Sequence, residues 1–216
     1  FGVLPSGVEI QPFLKESPQL HVQDPTSGVS LTLLRSIEQT PHRILDLCAG
    51  RGTKTRQLRS MFPNAMIGAT EPNDARRASL QEIAKEFDVT VYAPNKEGPT
   101  EPFDLVVADV PCSNSGVFAR RPEAKYRYDE KHITSLVELQ QTIIRDGVAV
   151  LNPNGHFLYA TCSIDREENG SQIAWMQSKR KLSLVDQSTT LPSGAPTSDR
   201  ATWHDGGFAA LLQRKA

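Results

Sequence analysis

The sequence predicts a doubly wound α/β domain, on two observations. Short β-branched or apolar runs alternate with stretches of helical period from Arg43 onward, and several of those runs end in a glycine, an acid or a cysteine. The predicted strands are residues 44–47, 66–70, 90–92, 105–108 and 156–161, with a late pair near 182–185 and 208–212. Between them, 74–87 is charged and alanine-rich, and 133–151 carries Ile133, Leu136, Val137, Ile143, Ile144, Val148 and Leu151 at helical spacing, so both read as helices. Asn152-Pro153-Asn154-Gly155 ends the second one, because proline cannot continue the hydrogen-bond ladder and Gly155 tolerates positive φ. Residues 25–39 look helical and belong to a lead-in, 1–42, packed on the sheet. Residues 186–206 are rich in Ser, Thr, Pro, Gly and Asp and predict a long surface loop. A chain of 216 residues accommodates one such domain with a sizeable core.

Lys plus Arg number 24 and Asp plus Glu 25, a net charge of -1, so no global positive field advertises a polyanion partner. Nucleic acid, if bound, is bound locally. Three cysteines fit neither a disulfide scaffold nor a four-ligand zinc site; they point to free thiols in a reducing compartment, the cytoplasm, and to no metal. No apolar run approaches the length of a membrane span, and the first residues, FGVLPSGVEI, carry no leader pattern. The start at Phe1 suggests a processed chain or an excised fragment.

Four segments carry chemistry. RILDLCAGRGTKT (43–55) is a strand followed by Gly50 and Gly52 and a helix starting near Thr53; glycines at the carboxyl end of a parallel strand let backbone approach a ligand. A GxG of this kind also serves a tight turn with no ligand. MIGATEPND (66–74) ends the next strand in Glu71, placed either to accept hydrogen bonds from ribose hydroxyls or to meet a helix dipole. Gly50, Gly52 and Glu71 together, without a full GxGxxG, favour S-adenosylmethionine over a dinucleotide. FDLVVADVPCSNSG (103–116) delivers Asp109 and Cys112 to that same sheet edge, and FLYATCSIDREENG (157–170) delivers Cys162. Either thiol alone reads as a small buried hydrophobe; two at the carboxyl ends of strands can converge on the cofactor edge. Cys48, in the glycine turn, is assigned to packing or cofactor lining.

These segments resemble the Sun/Fmu-type RNA cytosine-5 methyltransferases, the bacterial RsmB-like enzymes and their nucleolar eukaryotic relatives. VQDPTSGVSL (22–31) is similar to the family's VQDxSS, DLCAGRGTKT (46–55) to DxCAAPGGKT, DVPCSNSG (109–116) to DAPCSGSG and ARRPEAKYR (119–127) to RRHPDxKW. YATCSIDREENG (159–170) resembles YSTCSxxxxEN, and DGGFAALLQRK (205–215) resembles DGFFxAxLxK. Six motifs in order span nearly the whole chain.

The resemblance implies a Rossmann-like S-adenosyl-L-methionine-dependent methyltransferase: a mostly parallel seven-stranded sheet with helices on both faces. It implies that Cys162, of the TC motif, adds to carbon 6 of cytosine, that Cys112 assists release, and that Asp109 hydrogen-bonds the cytosine edge and the cofactor. A free thiol of pKa about 8.5 is mostly protonated at neutral pH, so Cys162 needs positive charge or donors nearby, with Lys54 a candidate. Cys48, Ala49, Gly50, Arg51, Gly52, Thr53, Lys54, Glu71, Asn95 and Asp109 form the implied cofactor site. Arg51 and Thr53 stand where the family has Pro and a second Gly: a β-carbon at 53 can crowd the methionine portion, while Arg51 can reach a carboxylate or phosphate. Asn95 substitutes for the family's acid after the third strand. Gly147 replaces a small helix residue, usually Ala, at about 1 kcal/mol in helix propensity.

Arg120, Arg121, Lys125 and Arg127, with Tyr126 and Tyr128 among them, are the candidate RNA-binding residues, holding phosphates while an aromatic stacks on a base. The same loop can be simply a solvated charged one. Lys179, Arg180 and Lys181 read as a surface run at a helix end. The implied partner is RNA, ribosomal by the bacterial side of the resemblance. The chain, 1–216, is expected to be a single catalytic domain without the N-terminal RNA-binding domain of the family. Two rivals remain: a non-catalytic RNA-binding or ribosome-assembly factor that keeps the fold, and a methyltransferase for protein or small molecules that needs neither cysteine.

Overall fold

The computed structural model describes residues 8–16, 24–92, 99, 101–194 and 202–215. Its centre is one sheet of seven strands: β1 (Arg43–Asp46), β2 (Met66–Thr70), β3 (Val89–Tyr92), β4 (Phe103–Asp109), β5 (Leu151–Thr161), β6 (Leu182–Thr190) and β7 (Gly207–Arg214). The spatial order is β3-β2-β1-β4-β5-β7-β6. Strands β1 to β5 pair in parallel, and β7 runs antiparallel to both β5 and β6. The mostly parallel sheet of the sequence reading is therefore present. The order reverses between β1 and β4, and that switch point is where open α/β sheets hold ligands beyond their strand ends.

The helices are α1 (Gln11–Glu16), α2 (Pro25–Thr32), α3 (Thr53–Met61), α4 (Asp74–Phe87), α5 (Glu130–Ala149) and α6 (Gly170–Arg180). Alternation along the strands separates two cores. Ile44, Leu105, Val107, Leu158 and Leu211 point to one face with Leu31, Leu58 and Leu80 from α2, α3 and α4. Leu45, Val106, Phe157, Tyr159 and Leu212 point to the other with Ile144, Ile173 and Met176 from α5 and α6. A period of two on strands and helices on both faces follow from the same residues.

Four expectations need correction. The helix predicted at 25–39 is α2, started by Asp24 accepting from the Thr26 N–H, followed by a 3-10 turn at Leu33–Ser36. α5 starts three residues before the predicted Ile133, because Asp129 caps it by accepting from the His132 N–H ahead of the first apolar contact. The turn after it is a break inside β5: Phe103 pairs with Leu151 and Leu105 with His156, and Asn154, not Gly155, takes the positive φ of 62°. Gly155 is small for another reason, since a β-carbon there would stand 2.9 Å from the Asn152 carbonyl oxygen. The loop predicted over 186–206 is shorter, because β6 runs to Thr190 and pairs in register with β7. Ser and Thr there sit on an edge strand that faces solvent on one side, which composition alone does not separate from a loop. Among the described residues no helix is long and apolar enough to cross a membrane.

Candidate active site

The carboxyl ends of β1, β2, β4 and β5 converge on one crevice. After β1 the chain turns through Gly50 at φ 58° and Gly52 at φ 84° into α3. The two glycines differ in what they face. A β-carbon on Gly50 would meet nothing within 4 Å, whereas one on Gly52 would stand 2.8 Å from Ile83 Cδ1 of α4. Gly50 thus opens the crevice, and Gly52 closes the packing of α3 against α4. Ala49 is buried and its N–H donates to the Thr70 carbonyl, tying the loop to β2; Arg51 and Thr53 are exposed on its rim. Glu71 follows β2 and is buried, accepting from the Asn73 N–H. Asn95 lies outside the described residues.

Beneath this loop, Asp46 is fully buried. Its Oδ2 accepts from Thr55 Oγ1 at 2.6 Å, while Oδ1 has no partner. Burial pushes its pKa up to about 6, against the hydrogen bond from Thr55 and the charge of Lys54. Cys48 is half-buried, and burial followed by the nearby Asp46, Asp109 and Glu71 carboxylates pushes its thiol up. That shift disfavours a Cys48 thiolate at neutral pH.

Lys54, on the first turn of α3, sends its ammonium 2.6 Å from Asp109 Oδ2 at the end of β4 and 3.4 Å from Ser27 Oγ. Burial pulls this ammonium's pKa down, but the Asp109 charge and hydrogen bond outweigh it, and the group titrates above the ordinary lysine range. Parallel pairing of β4 with β5 sets Asp109 opposite Ala160, so the loops beyond both strands emerge side by side. Residues fifty apart in sequence meet there: Cys112 Sγ lies 3.1 Å from Cys162 Sγ, and both are free thiols. The hydrogen bond between them, with Cys112 as donor, favours the Cys162 thiolate; burial and Asp109 oppose this, Lys54 supports it, and Cys162 titrates below its ordinary value. The same bond, then burial, drives Cys112 up. The main perturber of Cys162 is thus the second cysteine, with Lys54 secondary.

Sequence reasoning missed what holds these loops. Glu168 is fully buried and accepts from the Ser113 N–H at 2.9 Å, from Ser113 Oγ at 2.5 Å and from Gln140 Nε2 at 2.9 Å. Asn169 bridges Thr161 Oγ1 and the Ser163 carbonyl. Asp165 accepts from Ser163 Oγ and Tyr128 OH. The signal was the EEN that ends the segment around Cys162. Acids so close to a strand end have reason to be buried only if donors await them. Asn114, whose side-chain oxygen lies 3.1 Å from Cys162 Sγ, was missed as well.

The basic loop divides. Arg120 is held by Asp205, which it grips through Nε and Nη2, and Asp205 in turn meets α2 through its own N–H to Asp24 and its carbonyl from Thr26. Arg120 thus fastens the β6–β7 connection to the lead-in while more than half of its side chain stays exposed. Lys125 lies over the Phe118 ring at 5.8 Å, while Arg121, Tyr126 and Arg127 are exposed. Tyr128 donates to Asp165 at 2.5 Å, and this bond raises its phenol to about 12. Lys179 and Arg180 lie in the last turn of α6, with Lys181 as its left-handed cap, where cations suit the helix dipole. Among the described residues no cluster of His, Cys, Asp or Glu is arranged to hold a metal.

The fold is that of the Rossmann-like methyltransferases. The NSun6 structure from Pyrococcus horikoshii with SFG superposes with a TM-score of 0.76 at 23% identity, covering 99% of this chain and 57% of that one. A methyltransferase homolog protein, also from Pyrococcus horikoshii, gives a TM-score of 0.67 at 18% identity over 90% of this chain and 68% of its own. The chain belongs to the RsmB/F family: residues 32–210 match the family model described as 16S rRNA methyltransferase RsmB/F. Ribosomal RNA small subunit methyltransferase B from Enterobacter sp. (strain 638) is 31% identical over 199 residues, 88% of this chain and 46% of the relative. The protein of that name from Escherichia coli O6:K15:H31 is 31% identical over 202 residues, 90% of this chain and 47% of its own. The chain therefore spans about half the length of the relatives it matches.

Proposed function

We propose that this chain is the catalytic domain of an S-adenosyl-L-methionine-dependent RNA cytosine-5 methyltransferase that acts on ribosomal RNA in the cytoplasm, with Cys162 as nucleophile and Cys112 assisting release. The observation that carries this reading is the 3.1 Å approach of the two sulfurs, next to the Lys54–Asp109 pair and the open crevice over Gly50. The crevice suits an adenosine-bearing donor, because the space above Gly50 is free of protein and the Glu71 carboxylate stands at the tip of β2. Gly50, Glu71 and the loop backbone would hold that donor, which supplies a methyl group activated by its sulfonium.

Cytosine carbon 5 is a poor nucleophile, so covalent addition must come first. The Cys162 thiolate, favoured by Cys112 and Lys54, forms a sulfur–carbon bond at carbon 6 and places an electron pair on carbon 5, where the methyl group is received. The carbon 5 proton then passes to water, the electron pair of the broken carbon–hydrogen bond restores the ring double bond, and the sulfur–carbon bond breaks with its pair returning to Cys162. Cys112, its proton held by pairing with Cys162 and by burial, stands beside the leaving sulfur to assist this release. Asp109 keeps more than a third of its side chain accessible while bound to Lys54, which leaves it able to accept from the cytosine amino group. Arg121, Lys125 and Arg127 contact phosphates, and exposed Tyr126 offers a face to a base turned out of its stack.

The test is adduct trapping. With cofactor and ribosomal RNA, Cys112→Ala accumulates a denaturation-resistant protein–RNA adduct, because attack proceeds while release stalls, and Cys162→Ala forms none. An adduct in Cys162→Ala, or none in any variant with RNA containing 5-fluorocytosine, refutes the assignment.

A further inference from the structure

The turn between Cys112 and Ser115 is built on Asn114, at φ 63°. DVPCSNSG places this asparagine where the resembling motif DAPCSGSG has glycine, the residue that enters this region without steric penalty. Asparagine tolerates the conformation too, and brings a side chain with it. That side chain is fixed: Nδ2 donates to the Cys112 carbonyl at 3.0 Å, which leaves Oδ1 facing Cys162, where it accepts from Sγ at 3.1 Å.

We propose that Asn114 is a positioning residue that holds the proton of the Cys162 thiol in the resting enzyme, a role that glycine at this place cannot fill. The argument rests on what each neighbour offers the sulfur. An amide oxygen is an acceptor only. It stabilises S–H, and it turns the negative end of its dipole toward S⁻. Cys112 does the reverse, since as a donor it stabilises the Cys162 thiolate. Lys54 on α3 adds positive charge, and Asp109 from β4 adds negative charge. Cys162 therefore sits between a donor that draws it toward thiolate and an acceptor that keeps it thiol. Asn114 cannot turn its amide over without giving up the bond to the Cys112 carbonyl. For attack, the Cys162 proton has to leave Oδ1 for water, so this chain keeps a smaller reactive fraction at neutral pH than the glycine form does. Only the consequence for turnover depends on Cys162 being the nucleophile; the proton state of the thiol does not.

The experiment is iodoacetamide alkylation of the folded protein across pH, without RNA or cofactor, read by mass spectrometry on the peptide that carries Cys162. Removing one hydrogen-bond acceptor in Asn114→Gly should lower the pH midpoint of alkylation by about half to one pH unit and speed the reaction at pH 7 roughly three- to tenfold. Asn114→Asp, which is isosteric and tolerates the same positive φ but gives up the donor to the Cys112 carbonyl and adds negative charge beside the sulfur, should move the midpoint up. A loosened loop gives a different signature: faster alkylation at every pH with the midpoint unmoved. That result, or a midpoint that rises in Asn114→Gly, overturns the proposal. Loss of the RNA adduct in the trapping assay leaves this measurement unaffected, so the two readings fail separately.

Discussion

Cys112 and Cys162 stand sulfur to sulfur at 3.1 Å without a bond between them, each on the first loop beyond its strand and each altering the other's proton affinity in the opposite sense. Two thiols sharing a proton make a directional pair. The pairing draws Cys162 toward the thiolate and keeps the proton on Cys112.

That asymmetry yields a prediction for Cys112→Ala beyond adduct accumulation. Removing the donor withdraws the largest influence that lowers Cys162, leaving burial and Asp109 against Lys54 and a backbone hydrogen bond. The alkylation midpoint of Cys162 should therefore rise, by about one pH unit for the loss of a hydrogen bond to a charged group. An unchanged midpoint would show that the thiols do not share a proton. Attack by this variant should then need higher pH than wild type, although its adduct, once formed, persists.

Gly50 and Gly52 should separate binding from stability. Both have positive φ, so alanine costs each about 1 kcal/mol in backbone strain. At Gly52 the new methyl also meets Ile83 inside 3 Å, and overpacking adds another ~1–3 kcal/mol, seen as a fall in melting temperature. Gly50→Ala meets open space in the protein, so it should melt only a few degrees below wild type, from the backbone strain alone, yet lose on the order of tenfold or more in calorimetric affinity for S-adenosyl-L-methionine. Equal loss of stability in both variants, with affinity kept, would remove Gly50 from the cofactor site.

Strand positions were legible in the sequence because each delivers alternate side chains to two cores, and β2 and α4 have the boundaries that patterning gives. The convergence of Cys112 and Cys162 was legible in outline, since both follow apolar strands and β4 and β5 are neighbours. The buried polar scaffold was not. Ser113, Gln140, Glu168 and Asn169 have side chains that in a sequence read as surface, and only their mutual hydrogen bonds make burial tolerable. Gly147 is similar: its small size looks like a helix defect, yet a β-carbon there would stand 2.7 Å from Phe157 Cε2 of β5. The glycine lets α5 lie close on the sheet. Gly147→Ala should therefore lower the melting temperature despite its better helix propensity, because overpacking of about 1–3 kcal/mol exceeds the ~1 kcal/mol gained.

Glu168→Gln should show that the scaffold sets the chemistry. The substitution keeps shape but replaces an acceptor oxygen with an NH₂ group facing donors, the Ser113 N–H and hydroxyl and the Gln140 amide. A buried donor left against donors costs about 1–3 kcal/mol, and the Ser113 end of the Cys112 loop loses its anchor. We expect a lower melting temperature together with slower adduct formation by the otherwise intact cysteines. Slower adduct formation at a wild-type melting temperature would instead assign Glu168 a direct part in the reaction.

The last prediction concerns Asp46, where burial and function pull apart. Its folded pKa, about 6, lies above the ordinary aspartate value of 3.8, so between these values the native state binds more protons than the unfolded one. The carboxyl contributes most stability below pH 4, loses it as pH rises through 6, and above that the charged form is held at a penalty on the order of 2–3 kcal/mol. The ionised group persists beside a Thr55 hydrogen bond and the Lys54 charge, with Oδ1 unpaired beneath the glycine loop. Asp46→Asn keeps the Thr55 contact through its amide oxygen and removes the charge. Its stability relative to wild type, from urea unfolding at fixed temperature, should therefore improve from pH 4 to pH 7.5 and level off above. A flat difference across that range would mean that Asp46 titrates normally and that the loop is more hydrated than its burial implies.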